Sequence, residues 1–319
     1  MKHFVLICDD NYALPTIVTI KSIVDKADKK QSYCVHVCCV DLKKENIEMI
    51  ESLGGLNSIV CVDRIPPSYL ERATKSISQK THVSISALIK FELPNIYADI
   101  DKILYLDSDI IVKSNLVELF SIDLKDNYLA ASFELWKYIN TFYYCFGKVD
   151  GIDFFFNSGV MLMNLKKMRE DGISEQLWFY KLNSAKTKLM DQESFNAVCK
   201  EKVLPLSIIY NCNPIFIHEK YMNCVNKVYG CNYTKPSDLM DDVKIIHYVG
   251  KSDKPWIYIN GRCQRLWMSY YNRIKGIKPI TLKPYVGEKQ SLLSKIKSHF
   301  QYNGFKGLIS YLFYRRKRI

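Results

Sequence analysis

Apolar runs and amphipathic segments alternate along the first part of the chain. Short apolar runs at residues 3–8, 33–40 and 58–62 predict buried strands, because they are too short for buried helices. Between them, residues 15–27 and 43–54 carry apolar side chains at the spacing of one helix face. This strand-helix-strand-helix-strand order predicts an α/β fold with a mostly parallel sheet and helices on its faces.

The same alternation continues to an acidic strand end. Residues 84–94 predict a further helix, and residues 102–106 predict a strand that ends in Asp107-Ser108-Asp109. A second acidic pair, Asp9-Asp10, follows the first strand. Because ligands of open α/β sheets bind at the carboxyl ends of the strands, we expect both acidic groups to line one site.

Three parts of the chain differ in composition. Residues 125–250 are rich in aromatic residues and Asn and contain no Pro/Gly/Ser-rich linker. We therefore expect one body over residues 1–271, with a first half at about 1–125 and a second half at about 126–271. Residues 272–319 form a separate tail.

The formal net charge of +12 lies almost entirely in this tail, which contains 12 Lys/Arg residues and a single acidic residue, Glu288. The rest of the chain is nearly neutral, which argues against nucleic-acid binding. Apolar residues spaced between the basic ones over 288–319 predict an amphipathic helix suited to an anionic membrane surface. The alternatives are a solvated charge run and a tail that packs on the body.

Cysteine usage indicates the compartment. The 11 cysteines include no Cys-x-x-Cys pair, and Cys34, Cys38 and Cys39 fall inside a predicted strand. Buried, reduced cysteines of a cytosolic protein are the simplest interpretation. The N-terminal apolar stretch is too short for a signal sequence, and no apolar run reaches the length of a spanning helix.

The strand-end acids are candidates for a metal site. Asp107 and Asp109 are two residues apart, so both carboxylates can face one side, and a divalent cation would relieve their repulsion. His247, at the end of another predicted strand, could complete a shell that favours Mn²⁺ over Mg²⁺. Gly250 and Lys254 follow it and would suit a diphosphate. The alternatives are a helix-capping acidic turn and an ordinary core or surface histidine.

Two further polar groups are candidates for a substrate pocket. Asn157 precedes Ser158-Gly159, where we expect a tight turn into an apolar run. Asp191 and Gln192 are predicted to open a helix. Asp191 could serve there only as a favourable N-terminal charge, whereas Gln192 has no such structural explanation.

Taken in order, five motifs resemble those of the family 8 glycosyltransferases, which are retaining GT-A-fold enzymes that use nucleotide sugars. The resemblance covers residues 3 to about 257 and is greatest to the bacterial lipooligosaccharide and lipopolysaccharide galactosyl- and glucosyltransferases. The motifs are DDNY (9–12), YLDSDIIV (105–112), FNSGV (156–160), DQ (191–192) and HYVGKSDKPW (247–256).

The resemblance implies a role for each motif residue. Mn²⁺, with Mg²⁺ as an alternative, would be bound by Asp107, Asp109 and His247. The residues implied in binding the nucleotide are Asp9, Asn11, Gly250 and Lys254. One residue more than usual separates Gly250 from Lys254, so Lys251 competes with Lys254 for the diphosphate.

The resemblance also implies residues around the transferred sugar. Those of the donor-sugar pocket are Lys90, Asn157, Asp191 and Gln192, of which Gln192 and Asp191 are the catalytic candidates. His82 and Glu134 match acceptor-side positions. Lys90 stands where relatives often have Arg, so recognition of the donor-sugar hydroxyls could differ. Glu134 stands where close relatives often have Asp, which bears on the placement of the acceptor.

The function implied is retaining transfer of galactose or glucose from a UDP-sugar to a hydroxyl of a cell-surface glycan or glycolipid. The enzyme would work on the cytoplasmic face of the bacterial inner membrane and bind no nucleic acid. Two alternatives come from other classes. One is a phosphatase with Asp107 as nucleophile and Asp109 as acid, and the other is a non-catalytic nucleotide- or glycan-binding protein.

Overall fold

A computed structural model places a seven-stranded sheet at the centre of the chain, with helices packed on both faces. The model describes residues 1–39, 41–66, 68–69, 71–72, 85–135, 155–184, 191–250 and 253–285. Predictions about His82, Lys251 and the tail beyond residue 285 lie outside these residues.

The central sheet has the strand order β3-β2-β1-β4-β7-β6-β8. The first four strands in chain order are parallel, β7 is antiparallel to both of its neighbours, and β8 is parallel to β6. The predicted mostly parallel α/β sheet is therefore confirmed. Its strands are β1 (Lys2–Cys8), β2 (Tyr33–Cys39), β3 (Ser58–Arg64), β4 (Lys102–Leu106), β6 (Leu129–Phe133), β7 (Phe156–Asn164) and β8 (Val203–Leu206).

Helices cover both faces of this sheet. Short 3-10 segments lie at Asp10–Tyr12, Ile85–Glu92, Ile208–Tyr210 and Pro214–Phe216. The α-helices of the described residues are α1 (Ala13–Asp25), α2 (Lys44–Glu51), α3 (Leu93–Ile96), α4 (Val117–Phe120), α5 (Leu165–Glu170), α6 (Ile173–Asn183), α7 (Gln192–Cys199), α8 (Glu219–Tyr229), α9 (Pro236–Asp242) and α10 (Gln264–Tyr271).

The uninterrupted apolar sequence of β1 follows from its central position. Phe4 and Leu6 pack into the core on one face of the sheet, whereas Val5 and Ile7 pack into the core on the other. A strand buried on both faces has no solvent side that polar residues could occupy. β1 therefore shows no alternation of apolar and polar residues, and a continuous apolar run is what identifies it as a strand in the sequence.

A second, two-stranded sheet positions the acidic motif. β5 (Ile110–Val112) pairs antiparallel with β9 (Ile245–His247), so that Ile110 lies opposite His247. Helix α1 supports this sheet, because the Thr19 hydroxyl hydrogen-bonds to the carbonyl oxygens of Ser108 (3.0 Å) and Ile110 (2.8 Å). The Asp-x-Asp segment is thereby held between two sheets and a buried helix.

One local prediction is correct only in part, and another is wrong. The segment expected as one helix over 84–94 is a 3-10 helix at Ile85–Glu92 followed by α3, whose first turn contains Pro94. The turn expected at Asn157-Ser158-Gly159 is instead the start of β7. The Gly159 carbonyl accepts a hydrogen bond from the Asp107 N–H (2.8 Å), which continues the pairing of β7 with β4.

Both proposed halves of residues 1–271 contribute strands to the one central sheet. The boundary between the halves, and the start of the tail at residue 272, stay predictions. Among the described residues, no helix has the length and apolar composition that crossing a bilayer requires.

Candidate active site

Two carboxylates and one imidazole meet at the carboxyl end of β4. The His247 Nε2 atom lies 3.1 Å from Asp109 Oδ1 and 3.6 Å from Asp107 Oδ2. One donor atom from each of the three residues lies within 4.8 Å of the others, so the three could hold one cation. The structure thus brings together the three residues predicted as metal ligands.

Asn211 determines which imidazole nitrogen of His247 faces the carboxylates. Its Oδ1 atom lies 2.8 Å from His247 Nδ1, and because an amide oxygen can only accept, Nδ1 carries the proton. The Nε2 lone pair is then available to a cation, the usual arrangement of a metal-binding histidine. The Asn211 amide group in turn donates to Asn157 Oδ1 (2.9 Å).

Gly159 leaves the space in which this cluster lies. A Cβ atom at position 159 would be 2.2 Å from His247 Cε1 and 2.7 Å from Asp107 Oδ2, closer than any tolerated contact. The imidazole and the carboxylate therefore pack directly on the backbone of β7. A donor set of two carboxylates and one imidazole around this space fits Mn²⁺ or Mg²⁺.

Lys90 connects the metal-type cluster to the polar end of α7. Its Nζ atom is buried and lies 2.7 Å from Asp191 Oδ2 and 3.0 Å from Asp107 Oδ1. Burial alone would lower the pKa of Lys90, but Asp107 and Asp191 outweigh burial and hold the pKa above its ordinary value. Lys90 is therefore a fixed cation between the two carboxylates, over the ring of Tyr105.

Asp191 and Gln192 open α7, as predicted, but Asp191 does not cap it. The Asp191 carboxylate accepts hydrogen bonds from Lys90 and from the Ser158 hydroxyl (2.8 Å) instead of from the helix backbone. Gln192 Oε1 lies 3.2 Å from the Asn157 amide nitrogen and 3.3 Å from the Ser158 backbone nitrogen. Both side chains are thus held against the first residues of β7.

Asn196, one turn further along α7, fixes the helix to β7. Its amide oxygen accepts from the Phe156 N–H (2.8 Å), and its amide nitrogen donates to the Phe156 carbonyl (2.9 Å). Asn196 is fully buried, so both bonds are shielded from water. This reciprocal pair positions Gln192 relative to Asn157.

Lys254 lies inside the carboxylate cluster. Its ammonium group pairs with Asp109 and donates to the Tyr248 carbonyl (2.8 Å). Burial opposes the charge on Lys254, but Asp109 outweighs it and raises the pKa of the lysine. Burial likewise opposes the charge on Asp109, but the ammonium group of Lys254 is the largest cause that holds the pKa of that carboxyl well below its usual range.

The residues implied in nucleotide binding lie at the same edge of the sheet. Asp9 follows β1, and its Oδ1 atom accepts from the N–H groups of Asn11 (3.0 Å) and Tyr12 (3.2 Å). The rings of Tyr12 and Trp256 are in edge-on contact, with their centroids 6.2 Å apart. The DDNY motif therefore contacts the end of the HYVGKSDKPW motif. Gly250 has a φ of +93°, a backbone conformation that favours glycine.

Glu134, the described residue of the implied acceptor side, contacts the implied donor-sugar group. Its Oε2 atom accepts a hydrogen bond from the Asn157 amide nitrogen at 3.0 Å. Asn157 thereby links Glu134, Gln192 and, through Asn211, His247 in one hydrogen-bonded network. The other implied acceptor residue, His82, lies outside the described residues.

Several residues of this network were not predicted from the sequence. Tyr105 could have been found, because it lies two residues before Asp107 on the same strand face, and its hydroxyl donates to Asp107 Oδ1 (2.8 Å). Asn211 and Asn196 carry no local signal, since their partners are distant in sequence. Asp10, grouped with Asp9 in the sequence, binds Lys43 and Asn46 at the start of α2 instead.

A mostly parallel sheet with an Asp-x-Asp pair and a histidine at its strand ends is the arrangement that the resemblance to GT-A-fold glycosyltransferases implies. The family model for glycosyl transferase family 8 matches residues 3–260. The chain therefore belongs to that family, and the predicted family and fold are confirmed.

Three known proteins show the range of this similarity. The lipopolysaccharide 1,2-glucosyltransferase of Escherichia coli is 28% identical over 291 residues, which cover 87% of this chain and 78% of the relative. Glycosyltransferase GlyE of Streptococcus pneumoniae is 30% identical over 195 residues, 59% of this chain but only 42% of GlyE. The crystal structure of the galactosyltransferase LgtC with donor and acceptor sugar analogs superposes with a TM-score of 0.66 at 25% identity, covering 86% of this chain and 97% of LgtC.

Proposed function

We propose that this glycosyltransferase moves galactose or glucose from a UDP-sugar to a hydroxyl group of a lipopolysaccharide- or lipooligosaccharide-type glycan, with retention of anomeric configuration. The observation that carries the proposal is the continuous polar network from Asp107, Asp109 and His247 through Lys90 to Asp191 and Gln192. Related proteins act as a lipopolysaccharide glucosyltransferase and as a galactosyltransferase, which supports the sugar and acceptor classes.

Asp107, Asp109 and His247 would hold the divalent cation, for which we propose Mn²⁺. When bound, the cation supplies Lewis-acid stabilisation of the negative charge that develops on the departing UDP. Lys254 adds a buried positive charge at the same place, and the glycine at 250 lets the backbone come close to a diphosphate. We propose Lys254 for the diphosphate because its ammonium group lies against Asp109.

Gln192 would support the opposite, electron-poor side of the transferred sugar. Its amide oxygen is oriented by two N–H donors, from Asn157 and Ser158, and an amide is a weak nucleophile. We therefore favour a front-face reaction. The acceptor oxygen bonds to the anomeric carbon as the bond to the UDP oxygen breaks, and the acceptor proton passes to the released phosphate. The oriented amide dipole stabilises the positive charge on the sugar.

A covalent route through Asp191 is the mechanistic alternative. The Asp191 Oδ2 atom already accepts bonds from Lys90 and Ser158, which draw charge from the carboxylate and reduce its nucleophilicity. Proton NMR of the transfer product should show the retained anomer, and mass spectrometry of the quenched enzyme should show no glycosyl-Asp191 adduct. Such an adduct would replace the front-face mechanism, whereas an inverted product would contradict the proposed reaction.

The Asn211→Ala variant should bind Mn²⁺ about 10- to 100-fold more weakly, because His247 loses the partner that orients its ring. Turnover should recover at high Mn²⁺ concentration, so the apparent Mn²⁺ constant changes more than the maximal rate. A Mn²⁺ titration of activity measures both. Asn226→Ala, which removes an amide that bonds Tyr233 elsewhere, is the matched control. Equal Mn²⁺ constants in parent and Asn211→Ala would exclude this role for Asn211.

The phosphatase alternative fits the site less well. It requires Asp109 to donate a proton, but the ion pair with Lys254 keeps the pKa of Asp109 low and the carboxyl ionised. It also assigns no role to the network of Asn157, Gln192 and Asp191. The non-catalytic alternative predicts UDP binding without product, which calorimetry alongside a transfer assay would detect.

We further propose that the basic tail holds the enzyme at the anionic cytoplasmic face of the bacterial inner membrane. The support is compositional: residues 288–319 hold eight Lys/Arg against the single acid Glu288, and each basic side chain is worth about 1 kcal/mol near an anionic surface. Deleting residues 288–319 should abolish cosedimentation with anionic liposomes and spare transfer to a soluble acceptor. Undiminished cosedimentation of the truncated protein would contradict the proposal.

A further inference from the structure

A second cluster of metal-binding side chains lies on one face of strands β1, β2 and β3. It consists of His3 on β1, Cys34 and His36 on β2, and Cys61 and Asp63 on β3. The parallel register places His3 opposite Cys34 and His36 opposite Cys61. Because alternate residues of neighbouring strands share a face, all five side chains project to the same side of the sheet.

Three of these side chains have the spacing of ligands around one tetrahedral ion. His36 Nδ1 lies 3.4 Å from Cys61 Sγ and 2.9 Å from Asp63 Oδ2, and one donor atom from each of the three lies within 4.8 Å of the others. Zinc bonds of 2.3 Å to sulfur and 2.0–2.1 Å to nitrogen, at a tetrahedral angle, would place sulfur and nitrogen about 3.6 Å apart. The observed distance needs only a small adjustment.

The ligand atoms are oriented by partners on their far sides. His3 Nδ1 lies 3.1 Å from His36 Nε2, so His36 can use Nε2 for that hydrogen bond and keep Nδ1 for an ion. The Tyr97 hydroxyl donates to Asp63 Oδ2 at 2.7 Å. Supporting bonds of this kind accompany functional metal ligands and fix the ligand geometry before the ion arrives.

Cys34 is the nearest further thiol, with its Sγ atom 3.7 Å from Cys61 Sγ. It groups with His3 and His36 rather than with Cys61 and Asp63, so Cys61 is the thiol donor of the group of three. A thiolate ligand selects zinc-like ions over Mg²⁺, Ca²⁺ and Mn²⁺. This donor set therefore differs in metal preference from the sulfur-free cluster of Asp107, Asp109 and His247.

Solvent can reach this cluster. β3 is at the edge of the seven-stranded sheet, and His36, Cys61 and Asp63 are each half-buried. Ile59, on the same face of β3, is 58% exposed. His3 and Cys34 are the second residues of β1 and β2, whereas the candidate active site lies beyond the carboxyl ends of β1 and β4.

We propose that His36, Cys61 and Asp63 form a second metal site that binds a zinc-class ion, with a solvent molecule in the fourth position. The ion would join the edge strand β3 to β2 and stabilise this side of the sheet. It would take no part in sugar transfer, so the proposal does not depend on the proposed function.

Cobalt spectroscopy of the full chain tests the site without an activity assay. Protein freed of metal by chelation should take up one equivalent of Co²⁺ with thiolate-to-cobalt charge-transfer absorption in the near ultraviolet, and Zn²⁺ should abolish this absorption by displacement. The Asp107, Asp109 and His247 cluster contains no sulfur and cannot produce this absorption. Zn²⁺ should also raise the thermal unfolding midpoint of the parent protein.

Matched variants separate the site from unrelated thiols. Cys61→Ser and His36→Gln should each lose the charge-transfer absorption and show a smaller zinc-dependent thermal shift than the parent, whereas Cys231→Ser, another half-buried cysteine, should keep both at the parent level. His36→Gln keeps the variant set informative if Cys61→Ser does not fold. Reduced parent protein without the absorption, or an unchanged absorption in both site variants, would show that His36 and Asp63 form an ordinary ion pair and would overturn the proposal.

Discussion

Turnover of UDP-sugar should fall about 10³-fold when Asp109 is replaced by asparagine. The cation and the side chains around it supply several kcal/mol of stabilisation to the departing diphosphate, and each 1.36 kcal/mol is a factor of ten in rate. Asp109 contacts both His247 and Lys254, so its charge is central to this cluster. Initial-rate measurements over a range of Mn²⁺ concentrations should show that added metal does not restore the rate.

The control for this experiment must separate lost chemistry from lost folding, because Asp109→Asn leaves the buried Lys254 without its carboxylate partner. Circular dichroism and thermal unfolding of each variant provide that check. Asp107→Asn should give a similar loss of rate, whereas Asp126→Asn, at an exposed position, should keep the parent rate. A folded Asp109→Asn protein with near-parent activity would exclude the assigned metal site.

Replacing Lys90 by methionine should lower the free energy of unfolding by about 3–5 kcal/mol, the usual effect of removing one partner of a buried ion pair. Lys90 is 3% exposed and is the cation between Asp107 and Asp191, so both carboxylates would lose a buried countercharge. Urea denaturation followed by circular dichroism measures the change. Sugar transfer should fall as well, because Asp191 loses one of its two fixed donors.

Two control variants show whether the loss of stability in Lys90→Met comes from the lost charge. Lys90→Arg keeps the charge and should retain most of the stability, while altering the preference among donor sugars because a planar fork replaces a point charge. Lys220→Met, at an exposed position on α8, should change stability by less than about 0.5 kcal/mol. If Lys90→Met were as stable as the parent, the central ion-pair network would have no energetic role.

The local pattern of apolar and polar residues was sufficient to predict the strands of the first half of the sheet. Each strand of β1–β4 is a short apolar run between amphipathic helices, and the Asp-x-Asp pair is adjacent to one of them. Their position at a strand end follows from the chain itself. At 84–94 the same approach predicted one helix, whereas the structure has a 3-10 helix followed by a short α-helix, a distinction that apolar periodicity does not make.

The rest of the site depends on contacts that no local spacing encodes. Lys90 is 101 residues from Asp191, and His247 is 36 residues from the Asn211 that orients it. Gly159 was expected in a turn, because its sequence context of Asn and Ser resembles one. Glycine is needed at position 159 because a Cβ atom there would be only 2.2 Å from His247 Cε1. This close approach is visible only in the folded structure.

The cysteines also show that local spacing in the sequence does not reveal contacts between distant residues. A search for closely spaced pairs finds no metal motif, and the sequence favours inert buried thiols. The cluster of His36, Cys61 and Asp63 is instead assembled by the register of β2 on β3, which places residues 25 and 27 positions apart side by side. Strand pairing, rather than spacing along the chain, creates this candidate site.

The most direct test of the proposed function is a hydrolysis and transfer assay over a panel of nucleotide sugars with Mn²⁺ present. UDP should be released from UDP-galactose or UDP-glucose in a Mn²⁺-dependent reaction that the Asp109→Asn variant does not support. Release of UDP from neither donor, together with hydrolysis of a simple phosphate ester, would contradict the account and favour a phosphatase.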